Sequence, residues 1–116
     1  MKPEKNTKLS AILLVIQAVP LTNESEAVVH GCYISDLLSD VLAHAQPGML
    51  WATVQVHRNV VSVAATKDIP AVLFTCGRKP DASVIAEAEE EGIALLTTPL
   101  TTYEAAGKLW QAGLHV

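Results

Sequence analysis

Ala71-Val72-Leu73-Phe74-Thr75-Cys76-Gly77-Arg78-Lys79-Pro80 is the stretch whose reading decides the fold of this chain. Its first four residues are continuously apolar, as in a strand covered on both faces, and the rest are polar, basic or turn-forming. The strand is therefore expected to end in an exposed turn. Asp81 stands where a helix cap is needed, Val84, Ile85 and Ala88 form a stripe at helical spacing, and Gly92 follows the acidic last turn as a stop. Ile93-Ala94-Leu95-Leu96 repeats the strand signal, and Thr97-Thr98-Pro99-Leu100 repeats the turn. Thr101 with Glu104 makes a capping box. Ala105, Ala106, Leu109, Trp110 and Leu114 then mark out another helix, with Gly113 at its end. Strands alternating with helices at this spacing predict an α/β fold with a mainly parallel sheet.

The same unit recurs upstream. Val28-Val29 reads as a strand running into His30-Gly31-Cys32-Tyr33, and Ser35 or Asp36 can cap a helix whose buried stripe would be Leu37, Leu38, Val41, Leu42 and Ala45. Pro47-Gly48 breaks that helix, residues 49–56 read as a strand carrying Trp51, and Asn59 is placed to cap a short helix over residues 60–66. Residues 9–17 fit a helical stripe through Leu9, Ile12, Leu13 and Ile16, and fit a buried strand equally well. Residues 21–27 read as an acidic loop, residues 1–7 as a polar tail, and residues 8–116 as a single domain.

The chain of 116 residues is 50% hydrophobic, 4% aromatic and 17% charged, an aliphatic composition short of polar surface that hints at self-association. A net charge of −4, with Lys2, Lys5 and Lys8 as the only basic cluster, argues against a nucleic-acid module. Residues 9–21 behind that cluster have the outline of a secretory signal. Glu4, Ser10 and Gln17 interrupt the pattern, and no Ala-x-Ala cleavage site directly follows the apolar run. The run is also shorter than the roughly 20 residues of a membrane span, so a cytoplasmic protein is expected. Cys32 and Cys76 are too few for a disulfide framework.

Ligands of open parallel sheets bind beyond the carboxyl ends of the strands, beside helix N-termini. The expected edge gathers His30, Gly31, Cys32, Ser35 and Asp36 after one strand, Gln55, His57, Arg58 and Asn59 after the next, then Thr75 to Arg78, and finally Thr97, Thr98 and Thr101. The candidate ligand-binding residues are Ser35, Asp36, His57, Arg58, Thr75, Cys76, Gly77, Arg78, Thr97 and Thr98. Arginines, hydroxyls and close backbone suit a small anionic or phosphorylated ligand, although the same residue types serve as plain caps and turns. His30, Cys32, His57 and Cys76 allow a different reading, a small metal- or thiol-dependent enzyme. Asp36, Asp40 and the run Glu87, Glu89, Glu90, Glu91 read as solvent-facing. The chain carries neither a P-loop nor Gly-x-Gly-x-x-Gly, so no catalytic residue, metal or cofactor is assigned.

Over residues 9–114 the chain resembles the DRTGG domain family. Leu73-Phe74-Thr75-Cys76-Gly77-Arg78-Lys79-Pro80 is similar to the family's apolar strand followed by Thr-Gly-Gly and a proline. Gly92-Ile93-Ala94-Leu95-Leu96-Thr97-Thr98 with Thr101-Thr102 resembles its glycine, strand and threonine pair. His57-Arg58 stands where the family name has Asp-Arg, and Cys76 replaces the first glycine of its pair. Residues 31–40 and 48–51 resemble small stand-alone members from anaerobic bacteria. Related domains precede the kinase in HPr kinase/phosphorylase, occur in some phosphotransacetylases, and sit between CBS domains in some inorganic pyrophosphatases. The resemblance implies a three-layer α/β/α regulatory or assembly module and suggests a homodimer, and the output of such a module is expected to pass through the dimer or to a separate partner enzyme. It also implies helix for residues 9–17 and a short strand over residues 18–22. A dimerising adaptor that binds no small molecule is a third reading.

Overall fold

The computed structural model describes residues 6–23 and 27–116. Residues 1–5 of the expected tail and 24–26 of the expected loop lie outside the described residues. In chain order the elements are β1 (Thr7–Lys8), α1 (Leu9–Val15), β2 (Val19–Pro20), β3 (Val28–Val29), β4 (Cys32–Ile34), α2 (Leu38–His44), β5 (Leu50–Thr53), α3 (Asn59–Thr66), β6 (Ala71–Phe74), α4 (Ala82–Glu91), β7 (Ala94–Thr97) and α5 (Thr102–Gln111). The main sheet has the order β2-β7-β6-β5-β4, parallel from β4 to β7 with β2 added antiparallel at one edge. The short pair β1 and β3 forms a separate antiparallel ribbon.

Alternation along the strands explains the layers, because successive side chains point to opposite faces. Leu50, Ala52, Ala71, Leu73, Ala94 and Leu96 face Ile12, Ile16, Ala105 and Leu109, which places α1 and α5 on that side. Trp51, Val72, Phe74 and Leu95 face Val41, Val60, Ala64, Val84 and Ala88, so α2, α3 and α4 cover the other. A three-layer α/β/α structure results, as the family resemblance implies. Gly92 takes the left-handed conformation at φ 72°. The Ile93 amide then returns to the Ala88 carbonyl and the Gly92 amide to that of Glu89, the bond pair that ends a helix on glycine. The capping box of Thr101 and Glu104 is complete in both directions.

Several expectations need correction. Residues 28–34 do not form one strand: Val29 pairs with Thr7, the chain steps across at His30-Gly31, and Cys32 starts a strand in the main sheet. The step is enforced at Gly31, where a Cβ would lie 2.7 Å from the His115 carbonyl oxygen that accepts from the Cys32 amide. Neither Ser35 nor Asp36 caps α2. Ser35 Oγ accepts from the Leu37 amide just before the helix, and Asp36 turns to the end of β5. Within the expected stripe Val41 and Ala45 are buried, whereas Leu37 is 64% exposed and Leu42 is exposed as well. Asn59 lies inside the first turn of α3, and the His57 ring performs the expected capping by accepting its amide.

Candidate functional site

The C-terminal edge of the sheet is set by the register Thr53↔Phe74↔Thr97, the last row of β5, β6 and β7. Ser35 and Asp36 lie beyond β4, His57 and Arg58 beyond β5, and Thr75 to Arg78 beyond β6, as the expected edge requires. His30, Gly31 and Cys32 do not belong to it. They stand at the opposite, N-terminal edge, where Cys32 is paired with Leu50 at the start of β5. A four-residue strand spans roughly 10–13 Å, so His30 and Cys32 are held apart from His57 and Cys76. Among the described residues no three His, Cys, Asp or Glu side chains are grouped to hold a metal ion. Burial also pushes the Cys32 thiol up to about 12, which keeps it protonated and poorly nucleophilic at neutral pH.

The edge divides into a closed half and an open half. Over β6 and β7 the connections leave toward opposite faces, to α4 on one side and α5 on the other, and the turn after β6 folds across the gap. The Cys76 amide donates to the Leu100 carbonyl and the Gly77 amide to that of Thr98, each at 2.8 Å. Thr97 Oγ1 donates to the Arg78 carbonyl at 2.7 Å, and Thr75 Oγ1 shares a 2.7 Å bond with Thr102 Oγ1. Thr98 Oγ1 donates to the Ile16 carbonyl and accepts from the Leu100 amide. The Thr75, Thr97 and Thr98 side chains are buried, and their hydroxyls already have partners inside the protein. This half acts as a clasp, with Cys76 at φ 60° and Gly77 at φ 69° forming its exposed tip.

Between β5 and β6 the edge opens into a groove of about 430 Å³, lined by Gln55, His57, Arg58, Arg78, Asp81 and Ser83 together with Val56 and Val84. Arg58 and Arg78 are the only arginines in the chain, and both line this groove although they arrive on different loops. The Arg58 Nη2 lies 3.1 Å from Glu87 Oε2 on α4. Among the described residues the Arg78 side chain has no ion-pair partner, leaving its guanidinium available to a ligand. His57 Nδ1 is occupied by the Asn59 amide at 3.1 Å, so its Nε2 is the nitrogen left as donor. The Asp81 carboxylate in the same lining makes no bond to its own helix start. Two guanidiniums, an imidazole N–H and the first amides of α4 can hold an anion bearing several oxygens.

Ser35 and Asp36 serve the fold beside this groove. The Asp36 carboxylate accepts from Thr53 Oγ1 at 2.8 Å and the Val54 amide at 2.9 Å, and the Ser35 carbonyl accepts from the buried Trp51 indole at 2.9 Å. Asp81, Ser83 and Glu87 were outside the expected set. A residue at an N-cap position such as Asp81 looks the same in sequence with or without a groove beside it, and the Arg58–Glu87 pair ties the turn before α3 to α4 with no sequence periodicity to announce it.

No known protein-family profile matches the chain, and no curated protein is similar to it in sequence. Its structure is similar to the CBS and DRTGG domains of the regulatory region of Clostridium perfringens pyrophosphatase, solved with the activator diadenosine tetraphosphate. The TM-score is 0.76 at 18% identity, over 91% of this chain and 47% of that one. The chain therefore has a DRTGG-like fold and spans about half the length of that regulatory region.

Proposed function

We propose that the chain is a non-catalytic, cytoplasmic regulatory module of residues 8–116 that dimerises, senses a small phosphorylated anion in the groove between β5 and β6, and reports to a separate partner enzyme. The observation that carries this reading is the convergence of Arg58 and Arg78, the only arginines of an acidic chain, on one groove at the ligand-binding edge of a parallel sheet. Occurrence of the same fold in a regulatory region whose activator is a dinucleoside tetraphosphate supports it. No helix among the described residues is long and apolar enough to cross a membrane.

The charge would come from Arg58 and Arg78, with His57 Nε2, Ser83 and the exposed turn at Cys76 and Gly77 completing the contacts. Thr75, Thr97 and Thr98 would act indirectly, by holding that turn in place. Calorimetric titration with inorganic pyrophosphate, ATP and diadenosine tetraphosphate tests the site. Binding of one of them, weakened at least tenfold in the Arg58→Gln/Arg78→Gln double variant with the native far-ultraviolet circular dichroism retained, is the expected result. Undiminished affinity in that variant would remove the groove from consideration. A second reading, an adaptor with no small-molecule ligand, draws on the internal use of the threonine hydroxyls, and it predicts that none of the three probes binds.

A further inference from the structure

We propose that the outer face of α5 is the contact between two copies of this chain, packed antiparallel about a two-fold axis between Ala106 and Gly107. The inference rests on the dimer part of the reading above and is independent of the ligand part. Helix α5 buries Ala105 and Leu109 and leaves Tyr103 and Trp110 outside, 89% and 61% exposed. These are two of only five aromatic side chains in the chain. Spaced at helical intervals with Gly107 between them, they share one face. A shallow groove of about 530 Å³ runs along it. Trp110 is held in position there: the His115 ring stacks on it with centroids 3.8 Å apart, and His115 Nε2 lies 3.2 Å from the Trp110 carbonyl oxygen. A pre-ordered aromatic loses little further freedom on association.

The face is self-complementary, which points to a second copy as its occupant. In an antiparallel pair, a residue before the axis meets the residue equally far beyond it on the other copy. Tyr103 then meets Trp110, and Glu104 comes beside Lys108 on the same flank, so aromatic faces aromatic and carboxylate faces ammonium. A parallel pairing would place the Glu104 and Lys108 of the two copies on opposite flanks of the seam, where the carboxylate of one copy gains no ammonium from the other. Gly107 has no atom within 4 Å of where a Cβ would point, which leaves room for the two backbones to approach at the axis. Four aromatic side chains at about 150–250 Å² each supply most of a small interface. The dimer is accordingly expected to be concentration-dependent.

Sedimentation velocity of the full chain from low micromolar to near-millimolar concentration tests this, with Gly107→Arg as the blocking variant, since open space at Gly107 leaves the monomer fold undisturbed. Tyr103→Ser at the exposed end of the face is the second variant. The expected result is a wild-type dimer that both variants shift toward monomer at least tenfold in dissociation constant, with unchanged far-ultraviolet circular dichroism. Gly107→Cys in a Cys76→Ser background should give a disulfide-linked dimer on mild oxidation. A dimer untouched by either variant, with no cross-link, overturns the α5 face and leaves the dimer reading standing. A monomer at every concentration overturns both.

Discussion

Thr53 Oγ1 donates to Asp36 Oδ1 at 2.8 Å, across 17 residues of sequence, and the same carboxylate oxygen accepts from the Val54 amide at 2.9 Å. One side chain thereby ties the turn after β4 to the end of β5, and the Thr53 oxygen passes the link on by accepting from the Gln55 amide at 3.1 Å. Asp36→Ala removes the acceptor from two donors and should destabilise the protein by about 1–3 kcal/mol. Asp36→Asn, which keeps a carbonyl oxygen, should lose less. Urea denaturation of the three proteins measures the difference.

The clasp gives a second test. Thr98 Oγ1 bonds the Ile16 carbonyl at the end of α1 and the Leu100 amide at the start of the last connection. Thr98→Val keeps the shape and leaves both groups without that partner in a buried place, so a loss of about 1–3 kcal/mol is expected. Equal urea midpoints for Thr98→Val and wild type would show that the clasp is not stabilising.

The thiols should differ sharply in reactivity. Cys76 is exposed and Cys32 is buried, with burial raising the Cys32 thiol to about 12. A chromogenic disulfide reagent should titrate a single thiol in the native protein and both in denaturant. Because the ordinary value is 9.0 and the folded value is higher, the neutral Cys32 thiol also favours the folded state near neutrality. That contribution should fade as pH rises from 9.0 toward about 12.

Acid should weaken the protein at two identifiable carboxylates. Hydrogen bonds from Ser35 and Tyr33, then His44, hold Asp40 below its ordinary 3.8, and the Thr101 amide and hydroxyl hold Glu104 below its ordinary 4.5. A depressed folded-state value contributes stability that is complete above the unfolded value and is lost as pH falls through the folded one. Stability should therefore decline on the acid side from 4.5 and 3.8 downward, more shallowly in Asp40→Asn and Glu104→Gln. Melting temperatures followed from neutrality into acid would show it.

Gly48 should tolerate no side chain. It has φ 83°, and a Cβ there would collide with the His30 imidazole. Gly48→Ala should cost at least about 1 kcal/mol from the backbone conformation alone, and more if the ring is displaced. The melting temperature reads the loss directly.

Much of the architecture was legible from short-range patterns. Ala71-Val72-Leu73-Phe74 and Ile93-Ala94-Leu95-Leu96 announce buried parallel strands because both faces must be apolar, and Gly92, Thr101 and Glu104 act within one helical turn of themselves. The ambiguous residues 9–17 show the limit: their pattern suits helix and strand alike, and the helix that forms lies over Leu96 and Leu109, residues far away in the chain. The break between Val29 and Cys32 was equally hidden, since it depends on the His115 carbonyl seated against Gly31.

The sequence by itself determined the α/β class, the end of α4 at Gly92, the start of α5 at Thr101 and the two arginine-bearing turns of the candidate edge, since these follow from local periodicity, capping chemistry and the rule for where parallel sheets bind. Only the tertiary structure decided which edge residues face outward. Thr75, Thr97 and Thr98 are spent on partners reached through long-range folding, while Arg58 and Arg78 meet in a groove because α3 and α4 start side by side. A hydroxyl's chemistry is the same whether it caps, clasps or binds, and its role depends on which atoms the rest of the chain brings within 3 Å or so of it.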